Sequence, residues 1–145
     1  MDYLLDTNIV LNLIRDSPLA KQIKTDHHIF NPPQRLFASV VVEGELESLA
    51  LQNDWGTAKI RTLQHYLSNL IVVDIRIKAI IDRYAEIDAF SQGRLKSHPF
   101  VGSARNMGKN DLWIAATASV LDIPLMTTDN DFAHLDPIFL KLIKL

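Results

Sequence analysis

The sequence predicts an α/β fold, a three-layer sandwich in which a central, mostly parallel sheet is flanked by helices. Two observations carry this. Short apolar runs of strand character recur at Tyr3-Leu4-Leu5, Leu36-Phe37-Ala38, Leu70-Ile71-Val72-Val73 and Pro124-Leu125-Met126-Thr127, and between each and the next lies at least one stretch with helical spacing. The 145 residues also hold no repeat, linker or low-complexity run, so they suit one domain with its own core.

Taken in order, Tyr3-Leu4-Leu5 reads as a short buried strand ending at Asp6. Ile9-Val10-Leu11 and Leu13-Ile14 follow at helical spacing and close between Arg15 and Pro18. Residues from about His27 to Arg35, with Pro32-Pro33, form a loop, and Leu36-Phe37-Ala38 is the second strand. Ser39 caps a helix that begins near Val40. Asp54 starts another helix that runs to about Ser68. Leu70 to Val73 is a candidate buried strand, and Ile75 to about Phe90 is helical. Asp111 to Leu121 is an alanine-rich helix, Pro124 to Thr127 a short strand, and Ile138-Phe139-Leu140 a last one.

Composition narrows the function classes. Apolar residues make up 48% and charged residues 22%, the balance of an ordinary globular protein. There is no cysteine, which excludes disulfides, thiolate metal sites and cysteine nucleophiles together. The N-terminal Met1-Asp2-Tyr3-Leu4-Leu5-Asp6 lacks the basic start of a signal peptide, and no apolar stretch approaches the roughly 20 residues that cross a bilayer. A cytoplasmic protein with no membrane partner is expected. A net charge of −2 gives no nucleic-acid signal by itself, but its distribution is uneven. From Ser91 to Lys109 the chain carries Arg94, Lys96, Arg105 and Lys109 and no acid.

Ligand sites in open parallel sheets form beyond the carboxyl ends of the strands. Asp6 and Asp129 fall just past a strand end, and Asp111 opens a helix. On the helix from Val40 to Gln52, Glu45 shares a face with Val41, Val42 and Leu49, whereas Glu43 and Glu47 lie roughly 200° away. Asp111 likewise shares a face with Ile114, Ala115 and Ala118. An acid on an inward face needs a compensating partner. Each acid alone has an ordinary role. Asp6 or Thr7 suits an N-cap, Asp129 a turn over Asn130-Asp131-Phe132, Asp111 the positive end of a helix dipole, and Glu45 an ion pair with Arg61 or Arg83.

The residues around these acids add a family signal. Leu4-Leu5-Asp6-Thr7-Asn8-Ile9 resembles the opening motif of PIN domains, and Gly44-Glu45-Leu46 after Ser39-Val40-Val41 their second acidic position. Asn110-Asp111-Leu112-Trp113-Ile114-Ala115-Ala116 resembles the third, and Leu125-Met126-Thr127-Thr128-Asp129-Asn130-Asp131-Phe132 the fourth. The four stand in family order from residue 2 to about 135, in a chain as small as the VapC toxins of bacterial toxin–antitoxin pairs. The resemblance implies a single PIN domain over residues 1–145 and a metal-dependent endoribonuclease. Its Mg²⁺ or Mn²⁺, one ion or two, would be held by Asp6, Glu45, Asp111 and Asp129, and its products would be a 5′-phosphate and a 3′-hydroxyl. An all-oxygen donor set agrees with that ion class rather than Zn²⁺. Glu43 competes with Glu45 for the second position and Asp131 with Asp129 for the fourth. Thr7, Asn8, Thr127 and Asp131 are candidate supporting residues. Arg94, Lys96, Arg105 and Lys109 are candidate contacts to the RNA backbone, which such cations bind without reading bases.

The same resemblance implies a VapB-type antitoxin as partner and a homodimer, for which the helices starting at Ile9 and Asp54 offer surfaces. Two other readings compete with it. A haloacid-dehalogenase-type phosphatase also places an aspartate after its first strand, but Asn8 stands where its second aspartate belongs and no lysine precedes the late acids. A catalytically silent PIN-like module that binds RNA or protein would not need all four acids. A receiver domain lacks its adjacent acid pair here.

Overall fold

Leu4 and Leu5 have no exposed surface, because the strand that carries them has a neighbour on each side and helices on both faces. The computed structural model describes residues 1–100 and 102–145. Its sheet consists of β1 (Asp2–Leu5), β2 (Arg35–Ser39), β3 (Ile71–Val73), β4 (Leu125–Thr127) and β5 (Leu142–Lys144). The spatial order is β3-β2-β1-β4-β5, and all four pairings are parallel. Tyr3 lies opposite Leu36 and Leu5 opposite Met126, so β1 and β4 end level with each other.

Six α-helices connect the strands among the described residues: α1 (Thr7–Arg15), α2 (Pro18–His27), α3 (Val40–Gln52), α4 (Thr57–Asn69), α5 (Lys78–Ser91) and α6 (Lys109–Leu121), with a 3₁₀ helix at Asn130–Leu135. Asp6, Ser17 and Ser39 cap the first three, each accepting from a backbone N–H of the first turn. α1 packs against α2, α3 and α4, whereas α5 packs mainly on α6. The chain moves outward from β1 to β2 to β3 and then returns across the sheet to β4. Right-handed crossovers therefore put α1–α4 on one face and α5–α6 on the other. The reversal lies between β1 and β4, where the family of open α/β folds builds its crevices. α6 is apolar nearly all round, burying Leu112, Ile114, Ala115, Ala116 and Ala118, because it packs between α5 and the sheet and meets α3 at the cleft that both line.

Several expectations need correction. α2 was not anticipated: Pro18 stands at the helix start, where its missing N–H costs nothing, rather than closing the preceding helix. His28 ends α2 in a left-handed conformation, and His27 lies edge-on to Tyr3, which accounts for the paired histidines. Asp54 does not start a helix. It sits at φ +50° in the turn after α3, and Gly56 caps α4. α5 begins at Lys78, not Ile75, because Asp74 first accepts from the Arg76 N–H in a turn. Leu70 is buried, but β3 is an edge strand whose Ile71 and Val72 are exposed. Ile138 to Leu140 is not a strand, since Phe139 and Leu140 both donate backward to Leu135, and the fifth strand starts at Leu142.

Candidate active site

β1 delivers Asp6 to the carboxyl edge of the sheet, and β4 delivers Thr127 beside it. The Asp6 carboxylate is 4% exposed and each oxygen accepts one hydrogen bond: Oδ1 from the Thr7 N–H at 2.7 Å and Oδ2 from the Thr127 hydroxyl at 2.6 Å. That hydroxyl in turn accepts from the Asp129 N–H at 3.0 Å, and Asp129 Oδ1 accepts from the Asp131 N–H at 2.9 Å. A chain of hydrogen bonds thus runs from the turn after β4 to the end of β1. On the other side, Thr7 donates its hydroxyl to Glu45 Oε1 at 2.8 Å. Neither Arg61 nor Arg83 pairs with Glu45; Arg83 bonds Ser119 and lies 3.8 Å from Glu86.

The inward face read for Glu45 is a cleft wall, not core. The stripe of α3 that enters the core is Val42, Leu46 and Ala50, and Glu45 shares its half-buried face with Val41 and Leu49. These three, with Asp6, Thr7, Asn8, Asp111 and Asp129, line a cleft of about 690 Å³. The structure therefore gathers all four sequence-predicted acids in one place. Asp131, the competitor for the fourth position, joins them: one oxygen from each of Asp111, Asp129 and Asp131 lies within 4.8 Å of the others. Glu43 stays outside this cleft.

Crowding of like charge has the expected electrostatic result. Burial, then the charges of Asp6, Asp129, Asp131 and Glu45, push the Asp111 carboxyl up to about 6. Burial also raises Asp6, against the opposing bonds from Thr127 and Thr7. Asp111 sits in the first turn of α6, whose N-terminal dipole favours its anion but does not outweigh its neighbours.

Of the basic residues, Lys109 lines a small cleft with Glu45, Asn110 and Asp111, and Arg105 lines another with Asn106, Met107 and Asp131. Arg94 and Lys96 are exposed and line none of these clefts. The long connection before α6 is tied down by the Arg105 N–H donating to the Ser91 carbonyl at 2.7 Å and by buried Met107.

Thr127 is fully buried and joins two acids through one hydroxyl. Thr127→Val keeps the shape but leaves an Asp6 oxygen and the Asp129 N–H without that partner. We expect a loss of about 1–3 kcal/mol in stability, measured by urea unfolding, together with reduced activity. An unchanged midpoint would mean that the hydroxyl does not hold these groups.

A buried aspartate at the carboxyl ends of the neighbouring strands β1 and β4, ringed by further acids from α3, α6 and the turn after β4, defines the class. Residues 3–137 match the PIN domain family, and the chain belongs to it. Within the family its similarity is to VapC ribonucleases. It is 34% identical over 107 residues to ribonuclease VapC5 of Mycobacterium tuberculosis, an alignment covering 72% of this chain and 71% of that protein. Among solved structures, it resembles that of VapBC2 from Rickettsia felis bound to a DNA fragment from their promoter, with a TM-score of 0.75, 23% identity, and coverage of 100% of this chain and 99% of that one. VapBC-1 from nontypeable Haemophilus influenzae gives 0.72, 26% identity, and coverage of 99% and 98%. Family membership removes the grounds for a haloacid-dehalogenase-type phosphatase.

Proposed function

We propose that this chain is the toxin of a VapBC pair, a cytoplasmic endoribonuclease that hydrolyses RNA phosphodiester bonds with Mg²⁺ or Mn²⁺ held by Asp6, Glu45, Asp111 and Asp129. The observation that carries the reading is the convergence of these acids on one cleft at the carboxyl ends of β1 and β4. The donor set fits a hard divalent ion. It is all carboxylate, Asp111 and Asp129 offer oxygens within 4.8 Å of each other and of one from Asp131, and the mutual repulsion of the acids calls for a cation. When bound, such an ion polarises the phosphate and makes a coordinated water more acidic.

The chain's own residues supply position. Thr127 and the Thr7 N–H hold Asp6 by both oxygens, and the Thr7 hydroxyl holds Glu45, so neither carboxylate must be reorganised when substrate arrives. Asp131 enters as a fifth acid, either as ligand or as holder of Asp129. Lys109 and Arg105 line small clefts beside the acids, where such cations would hold RNA backbone phosphates. Breaking the bond from phosphorus to the 3′ oxygen leaves a 3′-hydroxyl and a 5′-phosphate.

Such activity needs restraint. A VapB-type antitoxin would cover the cleft and place a cation among the acids, and two copies of the chain would pair. α1 contributes little surface to either contact, because Ile9, Val10, Leu13 and Ile14 are core. α4, which buries only Leu63, remains available. Among the described residues, no helix is long and apolar enough to cross a membrane.

Incubating the purified chain with total bacterial RNA tests this directly. Discrete fragments with 5′-phosphate ends in Mg²⁺ or Mn²⁺, and none with chelator, are expected. Cleavage that persists in chelator would overturn the metal-dependent reading, and intact RNA under every condition would favour the silent binding module.

A further inference from the structure

Next to the acid cluster lies a second cleft with different chemistry. It measures about 580 Å³ and is lined by Phe100, Gly102, Ser103, Arg105, Ala133 and His134. Its walls are two rings. Phe100 packs on the core residue Phe90 at 5.1 Å between centroids, and His134 stands 5.6 Å from Phe100 at 55°. The His134 ring is held in place because its Nε2 lies 2.8 Å from the buried Ser91 hydroxyl. Gly102 keeps the space beside Phe100 open. Its φ is +148°, and a Cβ there would sit 3.4 Å from Phe100 Cζ.

The cleft contains one cation and no acid. Arg105 is exposed, and the ion pairs among the described residues are made by other cations. Its backbone is fixed by the bond to the Ser91 carbonyl, so the side chain extends from a fixed point at the cleft. Arg105 also borders the small cleft shared with Asp131, whose carboxylate meets those of Asp111 and Asp129. The aromatic cleft and the acid cluster are therefore joined through Arg105 and Asp131.

Aromatic rings beside an arginine that makes no ion pair among the described residues, in a cleft joined to the acid cluster through Arg105, are the features that hold an unstacked base and its phosphate. We propose that the Phe100–His134 cleft is a nucleobase subsite, in which one base of single-stranded RNA stacks beside the scissile bond while Arg105 holds the neighbouring phosphate. The choice of RNA as ligand rests on the ribonuclease reading. The cleft gives the enzyme a means of choosing where it cuts, because a base must be unstacked to enter it. Regular duplex would be excluded, and loops and ends accepted.

The test is a binding cycle between protein and RNA variants. Fluorescence anisotropy of an end-labelled decaribonucleotide is measured with the full chain in Ca²⁺, with each base in turn replaced by an abasic nucleotide. Wild type should lose about 5- to 100-fold in affinity at one position and little elsewhere. Phe100→Leu should abolish that position's penalty, and Phe100→Tyr, which keeps an aromatic face, should restore it. A variant that is merely destabilised would weaken all ten oligonucleotides alike and show no rescue. Arg105→Gln should weaken every oligonucleotide and lower the salt slope by about one. Equal abasic penalties in wild type and Phe100→Leu at every position, or no binding to any oligonucleotide, overturn the proposal. Cleavage in Mn²⁺ separates the two readings. Coupling at Phe100 without cleavage would sink the ribonuclease and keep the subsite, and cleavage without coupling would do the reverse.

Discussion

Asp6→Asn is expected to lower metal-dependent RNA cleavage by at least about 100-fold, on the order of 3 kcal/mol of transition-state stabilisation. Asp6 is the most buried acid of the cluster, and both its oxygens are directed by hydrogen bonds from Thr7 and Thr127. Asparagine retains an oxygen for the Thr7 N–H, so α1 keeps its cap. It replaces the second oxygen with a donor facing Thr127 and removes the negative charge. The fold should survive, because the lost bond from Thr127 is offset by relief of repulsion from Glu45 and Asp129. Gel analysis of cleavage, with circular dichroism melting as the control for folding, decides the matter. Wild-type rates in a well-folded variant would remove Asp6 from the chemistry.

Asp111→Asn should separate stability from function in the opposite direction. The folded protein holds this carboxyl at about 6, above the ordinary aspartate value of 3.8. An acid raised by folding contributes stability below its unfolded value, and that contribution is lost as pH rises through the folded one. With chelator present, the wild-type melting temperature should therefore fall between about pH 4 and pH 7 through this group. Asparagine cannot ionise and should flatten that part of the profile. At pH 7 the variant should gain about 1 kcal/mol, once solvent screening of a partly exposed carboxylate is allowed for, or roughly 2–4 °C. It should also lose most of the rise in melting temperature that Mn²⁺ gives wild type, along with cleavage. Stabilising an acid cluster by neutralising it, at the expense of activity, is the trade expected of a site built from mutual repulsion. A variant less stable than wild type at pH 7 in chelator would show that Asp111 is not under the strain its surroundings imply.

Much of the fold was legible because its central strands are short apolar runs that end abruptly at polar residues. Leu4-Leu5 before Asp6 and Leu125-Met126-Thr127 before Asp129 announce buried strands that stop at the sheet edge. α2 was not legible for the converse reason. It buries only Ala20 and Ile23, and its first residue is a proline that reads equally as an ending. The last strand was misplaced because Ile138-Phe139-Leu140 has the composition of a strand, while backward bonds to Leu135 fold it into a turn. At the site, the helical wheel distinguished Glu45 from Glu43, but it could not tell a face that meets core from one that borders a cleft. Spacing alone could not have shown Asp131 beside Asp111, because that depends on the tight turn Asp129 makes by accepting from its N–H. The aromatic cleft had no sequence signal. Phe100 and His134 are far apart in the chain, and Gly102 reads as an ordinary loop glycine.

The hydrogen bond from Thr127 to Asp6 spans 121 positions of the chain. No local segment can make it, and the loop it closes is among the longest the domain contains, so it belongs to the slow, non-local part of folding. Glu45, held by the Thr7 hydroxyl, and Asp111, on α6, complete the cleft around that pair. A nascent or partly unfolded copy therefore carries the acids without their arrangement, and the cleft is complete only when the whole domain has condensed.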